Sequence, residues 1–305
     1  MDQVAEPPQP ERILQHRPRC SALMRVAGEH AAEKDRQVFW HYDEFMAELR
    51  APERRLAILS YHKVGDPPRA AWEPWNYVPE AMLAEQLSAV HEDGWQFVEL
   101  ADALRGVYDP DSLPARSALV TFDDGYRSVL ERGLPVLRDL GCPAVVFMPA
   151  AFIGGVSTFD RGVSEPLEPL CGWDELRELQ GAGISVQSHG FKHLHFSKCD
   201  PELLEAELKR SKRMLEEGLE RTVELFAFPY GDGGANPAAV TRALEHFGYR
   251  AACLYGGGAV ALPTADRYRL SRLAIGFGSD VVAELAVGDG VRGSPAESSA
   301  STKRS

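Results

Sequence analysis

No stretch of this 305-residue chain is long and apolar enough to span a bilayer, and its start, Met1-Asp2-Gln3-Val4-Ala5-Glu6, has neither a basic opening nor an apolar run. The reading is a chain with no membrane span and no signal peptide. A cytoplasmic protein is therefore expected, with export left open should the chain begin inside a longer one. Positive charge is scarce as well: 33 Lys and Arg stand against 45 Asp and Glu, a formal net charge of -12. Phosphate binding needs concentrated Lys and Arg, so no nucleic-acid partner is expected. The five cysteines, Cys20, Cys142, Cys171, Cys199 and Cys253, are odd in number, scattered and without CxxC spacing. They read as free thiols in a reducing compartment. There is no internal repeat, and the 44% hydrophobic content supplies one sizeable core.

What is present is a small set of acids and imidazoles placed behind apolar runs. Thr121-Phe122-Asp123-Asp124-Gly125 closes one such run, and Ser188-His189-Gly190-Phe191-Lys192-His193 closes another. One carboxylate and two imidazoles can hold a divalent ion while a neighbouring carboxylate stays free as a base, which is the equipment of metal-assisted hydrolysis. His189 and His193 are four apart, so on a helical turn they would share one face. Asp123 and Asp124 point in different directions, leaving one to ligate and one to meet water. A phosphotransfer site would usually separate its two acids by one residue. Each piece also has an ordinary explanation, because Asp residues stabilise helix N-termini and a histidine pair can be plain surface. Their joint placement favours the metal site.

That placement follows from the order of elements. Apolar runs at residues 56–61, 118–122, 184–188 and 225–228 read as buried strands, leading into His62, Asp123, His189 and Pro229-Tyr230-Gly231. Helical patterns lie between them at 80–92, 173–180 and 236–247. Another runs from 126 to 140, bent at Gly133 and Pro135. A further one starts at Asp200-Pro201 and is expected to stop at Gly218. Strand–helix alternation implies an α/β fold with a parallel sheet, and in its closed form the residues after the strands gather at one mouth.

The ordered set Thr121-Phe122-Asp123-Asp124-Gly125, Ser188-His189 with His193, and Phe228-Pro229-Tyr230-Gly231 resembles the polysaccharide deacetylases, carbohydrate esterase family 4, also called the NodB homology domain. The likeness covers about residues 117 to 290. Leu59-Ser60-Tyr61-His62-Lys63-Val64 and Trp95-Gln96-Phe97-Val98 are similar to the opening of members acting on poly-N-acetylglucosamine and related exopolysaccharides. The resemblance implies a distorted, incomplete (β/α) barrel of the seven-stranded type that removes N-acetyl, sometimes O-acetyl, groups from sugars. It implies a divalent metal, zinc by preference, with iron, manganese, cobalt or nickel also suited to the ligand set. Carried over by position, Asp123 matches the general base, Asp124, His189 and His193 match the metal ligands, and the Tyr230 N–H matches an oxyanion donor.

Two departures from the family pattern matter. The Arg that often precedes Pro-Tyr and tethers the base is replaced by Phe226-Ala227-Phe228, so Arg272 is expected to reach back to Asp123 instead. The Leu-x-x-x-His motif that usually supplies the general acid is missing, since residues 270–277 contain no histidine. His62, after the first strand, is the candidate substitute, against the alternative of a packed histidine without catalytic duty; His246 reads as solvated. Gly190 stands where Ser or Thr is frequent, which would alter bonding around the ligands and not ligation. Tyr126, Tyr230, Trp72 and Trp75 are candidates to stack on a sugar, and residues 152–172 form a loop expected to line the cleft. Residues 1–53 carry no recognisable motif, 54–290 are expected to be the catalytic domain, and 291–305 a disordered tail. An acetylated amino-sugar substrate is the leading expectation. A non-sugar amide, an O-acetyl ester and a non-catalytic carbohydrate-binding relic are the alternatives, and no feature selects the sugar, the linkage or the oligomeric state.

Overall fold

The structure is a computed structural model that describes residues 53–69, 74–159 and 166–290. The expected N-terminal segment up to residue 52, Cys20, Trp72 and the expected tail at 291–305 lie outside the described residues.

The spine is a curled sheet. In sequence order the strands are β1 (Arg54–Tyr61), β2 (Lys63–Val64), β3 (Tyr77–Val78), β4 (Gln96–Phe97), β5 (Arg116–Phe122), β6 (Ala144–Met148), β7 (Ser185–Ser188), β8 (Leu225–Ala227), β9 (Ala251–Cys253), β10 (Val260–Leu262) and β11 (Leu273–Ala274). The main path runs β10-β1-β5-β6-β7-β8-β9, with β4 beside β5 and β11 beside β1, while β2 and β3 form a separate pair. From β1 to β9 every pairing is parallel; β10 alone runs antiparallel to β1. This is an open (β/α) barrel with seven strands in its path.

Continuous apolar runs form the central strands because both sheet faces are covered. Ala57, Leu59, Ala118, Val120, Phe122, Val146 and Met148 face the outer layer, whose core includes Leu83, Leu87, Leu176, Leu208 and Leu215 of the helices. Leu56, Ile58, Leu119, Val145, Phe147, Leu225, Ala227, Ala251 and Cys253 fill the barrel interior, plugged by Leu104 and Val107. Strand side chains alternate faces. Continuing the inward set beyond each strand end gives His62 after Ile58, Asp123 after Leu119 and Tyr255 after Cys253. Register then sets them level: Tyr61 pairs with Phe122, and Met148 with Ser188, so His62, Asp123 and His189 leave the sheet at one mouth.

The outer helices are α1 (Glu80–Glu92), α2 (Leu100–Tyr108), α3 (Leu134–Asp139), α4 (Trp173–Gly181), α5 (Pro201–Leu219), α6 (Pro237–His246) and α7 (Val281–Gly290). The expected bend between 126 and 140 is a π turn over Val129–Gly133 leading into α3. Asp200 caps α5 by accepting the Leu203 N–H at 2.8 Å, with Pro201 in the first turn. The expected stop at Gly218 is corrected: α5 continues through Leu219 and ends on Glu220 at φ 53°. Gly218 is there for packing, since a Cβ on it would lie 2.2 Å from the Trp173 ring.

The gap between β9 and β1 is closed by residues 270–274. Leu270 bridges to Cys253, and Leu273 and Ala274 pair with Leu59 and Ser60. Arg272 sits between these two attachments and is fully buried.

Candidate active site

At the mouth, Asp123 continues β5 and its N–H donates to the Tyr61 carbonyl at 2.9 Å. The chain then turns sharply, Asp124 and Gly125 both at φ 68°. A left-handed aspartate is tolerated more readily than most residues, and here it swings one carboxylate away from its neighbour. Gly125 has no alternative, because a Cβ there would lie 2.1 Å from Met148 Sδ.

Asp124, His189 and His193 converge, with one ligand atom from each within 4.8 Å of the others, and all three residues are buried. Asp124 Oδ1 lies 3.1 Å from His193 Nε2 and 3.5 Å from His189 Nε2. The pair does not come together on a helical turn as the spacing suggested. His189 directly follows β7, and residues 190–193 form an irregular loop with Gly190 at φ 78° and His193 at φ 56°.

These three groups fit a cation. The Nδ1 of His189 is 2.8 Å from the Ala227 carbonyl, which can only accept, so Nδ1 carries the proton and Nε2 presents its lone pair to the cluster. Asp124 Oδ1 is buried and, apart from the His193 imidazole 3.1 Å away, has no hydrogen-bond partner among the described residues. A buried acceptor left unsatisfied is costly, and a cation between these atoms would satisfy all three. Burial pushes the His189 imidazole down to about 4, against the opposing pull of Asp123, which keeps it neutral and able to ligate. For Asp124, burial acts upward but the neighbouring His193 and His189 outweigh it and lower the carboxyl.

Asp123 stands beside this cluster, its Oδ2 4.0 Å from His189 Nε2. Arg272 donates Nη1–H to Oδ1 at 2.6 Å and Nη2–H to Oδ2 at 2.8 Å, so the structure places Arg272 on Asp123. Arg272 Nε–H in turn donates to the Leu254 carbonyl at 2.6 Å, fixing the fork. Burial raises the Asp123 carboxyl, but Arg272 and His189 together outweigh it and hold the group below the usual carboxylate range. His62 is half-buried at the same mouth, its Nδ1 enclosed without a hydrogen-bond partner among the described residues and its ring edge-on to Tyr255 at 5.6 Å. It is near enough to contribute to the lowering of both aspartates.

The aromatic candidates separate. Tyr230 is 51% exposed, in a left-handed conformation (φ 59°), with its ring 4.6 Å from that of His193. Tyr126 is corrected: it is 2% exposed, its ring lies under Lys63 Nζ at 4.9 Å, and its backbone bridges to Leu170, so it cannot stack on a sugar. Trp75 is exposed beside Gly276, and His246 is exposed on α6.

Two groups near the site escaped the sequence reading. Phe159 stacks on His193 with centroids 4.3 Å apart, so the 152–172 loop does contribute an aromatic wall. His195 stacks on Tyr230 at 3.9 Å and reaches Asp232 at 3.5 Å. The position of Phe159 in a long loop after a strand was a signal for the region, though not for the residue. Cys142, Cys171, Cys199 and Cys253 are free, and burial raises the thiols of the first, second and fourth to about 12. No helix among the described residues is long and apolar enough to cross a membrane.

The sheet is thus an open (β/α) barrel that carries a buried Asp-His-His cluster and an Arg-held aspartate at its strand mouth. Residues 111–252, just under half of the chain, match the polysaccharide deacetylase family profile. The chain is 24% identical over 177 residues to YxkH of Bacillus subtilis (strain 168), named as a polysaccharide deacetylase, covering 58% of this chain and 57% of that one. It is 32% identical over 151 residues to the poly-beta-1,6-N-acetyl-D-glucosamine N-deacetylase of Escherichia coli (strain K12), covering 48% of this chain and 22% of that one. The chain thus spans little more than half of the first relative and about a fifth of the second. Among solved structures, IcaB from Ammonifex degensii superposes with a TM-score of 0.65 at 24% identity, covering 76% of this chain and 97% of that one. Streptococcus pyogenes deacetylase PplD gives 0.63 at 18% identity, over 74% and 94% of the two chains. These structural likenesses concern the fold.

Proposed function

We propose that this protein is a metal-dependent N-deacetylase of an acetylated amino-sugar polymer, of the poly-N-acetylglucosamine kind. One arrangement carries the reading: Asp124 Oδ1 faces His189 Nε2 and His193 Nε2 beside an Asp123 that Arg272 holds by both oxygens. A site built only to bind sugar needs no such aspartate. The substrate class is supported by the name of the Escherichia coli relative.

Asp124, His189 and His193 would hold the ion, zinc by preference; iron, manganese, cobalt and nickel suit the same donors. When bound, such an ion supplies Lewis acidity to the acetyl carbonyl and makes nearby water more acidic. Asp123 is kept ionised by Arg272 and takes the proton from the attacking water at Oδ2, the oxygen facing His189. The Tyr230 N–H donates to the oxyanion. His62 protonates the leaving nitrogen, so that amide and water give acetate and a free amine. Tyr230 and Phe159 flank His193 and bound the space the sugar would enter.

The test strips the purified protein of metal and restores zinc, cobalt, nickel, manganese or iron singly. Acetate release is then compared on poly-N-acetylglucosamine oligomers, acetylated xylan and simple acetamides. Metal-restored release with a clear preference for the amino sugar is expected, alongside near one equivalent of metal by elemental analysis. Release indifferent to metal, or greater from xylan or simple amides, would overturn the proposal.

A further inference from the structure

The two histidines belong to a loop that has no regular structure of its own, yet both must meet one ion. Two of its carbonyls are taken up, as Ala150 and Ala151 donate to Gly190 and Phe191 at 3.1 and 2.9 Å. Its N–H groups turn the other way, toward α5. Glu207, 1% exposed, accepts both the Phe191 and the Lys192 N–H at 2.8 Å on the single oxygen Oε2. Its helix adds two further contacts: Arg210 lies over the Phe191 ring at 3.9 Å, and Ser211 hydrogen-bonds Ser188 at 2.7 Å. The loop is therefore tied to α5 from the end of β7 to the residue before His193.

Gly190 fits this arrangement. It adopts φ 78°, and a Cβ on it would lie 3.1 Å from Glu207 Oε2. The carboxylate occupies the space that a side chain at 190 would need.

We infer that Glu207 is the positioning residue for His193: by gathering two consecutive N–H groups it fixes the loop conformation that turns the imidazole toward Asp124 and His189. Its carboxylate meets backbone N–H groups and is not one of the three grouped ligands. A buried carboxylate is costly, and two backbone donors offset that cost while removing two unpaired N–H groups from the interior. The inference rests on the reading that Asp124, His189 and His193 hold a metal.

The test measures zinc affinity of the full-length apoprotein by chelator competition, with circular dichroism and the apoprotein melting temperature recorded in parallel. Glu207→Ala and Glu207→Asp, the latter one methylene too short, are expected to weaken zinc binding by roughly 10–100-fold in folded protein. Glu207→Gln keeps an amide oxygen that can accept both bonds and is expected to stay within about threefold of the parent, since the geometry is retained. In the parent apoprotein the Phe191 and Lys192 amides should exchange slowly with deuterium, a readout that needs no variant. Parental affinity in folded Glu207→Ala or Glu207→Asp would overturn the inference, as would fast exchange of both amides. Equal weakening in Glu207→Gln and Glu207→Ala would assign the effect to charge and overturn it too. A parent that takes up none of zinc, cobalt, nickel, manganese and iron would overturn the metal reading itself, which separates the two failures.

Discussion

Arg272 and Asp123, 149 positions apart, form a two-pronged ion pair inside the barrel mouth, the guanidinium at 0% exposure and the aspartate at 2%. Such a pair costs both charges their water, and the coplanar fork is what makes the geometry good enough to offset it.

Arg272→Ala leaves Asp123 buried without its cation. Breaking a buried pair from one side typically costs about 3–5 kcal/mol, and thermal denaturation should register a loss of that order. The titration follows in sign. Arg272 holds the Asp123 carboxyl below its ordinary value, so without it burial dominates and the carboxyl titrates higher. The acid limb of kcat/KM should therefore move to higher pH. An acid limb left in place would show that Arg272 does not set the ionisation of the base.

His62→Gln tests the proposal that this imidazole is the proton donor. Loss of a general acid typically costs about 10²–10⁴-fold, and the alkaline limb of the rate profile should flatten with it. Substrates with better leaving groups, such as aryl acetates, should be far less affected. A uniform loss across leaving groups would assign His62 to packing.

Tyr230→Ala and Tyr126→Ala should diverge. Tyr230 is exposed beside His193, so its loss is expected to raise KM for oligosaccharides by about 2–10-fold, the worth of one aromatic contact, with little change in melting temperature. Tyr126 is core, and its truncation should cost about 3–5 kcal/mol of stability. KM and melting temperature of both variants decide it; a raised KM in a stable Tyr126→Ala protein would contradict the assignment.

Gly218→Ala sets two effects against each other. Alanine favours a helix by about 1 kcal/mol over glycine. The new methyl would start 2.2 Å from the Trp173 ring, and overpacking costs about 1–3 kcal/mol. A net loss is expected in urea denaturation, and Gly218→Ala paired with Trp173→Leu should recover it.

Legibility from the sequence was uneven for reasons that can be named. Asp123, Asp124 and His189 were readable because each follows an apolar strand, and a strand fixes both the end at which its next residue emerges and the face it takes. Gly218 was misjudged because a helix-stop signal and a close-packing signal are the same letter. Tyr126 was misjudged because polarity after a strand does not say whether Lys63 will cover the ring. Phe159 and His195 sit outside the strands and α-helices, where no periodicity announces what a side chain will touch.

By itself the sequence determined the alternation of strands and helices, the parallel sheet and the set of groups delivered to its mouth, since hydrophobic period and turn residues act locally. Only the tertiary structure decided which of those groups meet. The pairing of Leu270 with Cys253 and of Leu273 with Leu59 carries Arg272 inward to Asp123, and α5 brings Glu207 under the loop of His193. Those contacts span long stretches of chain, and their distances are set by sheet closure and helix packing, which no local pattern encodes.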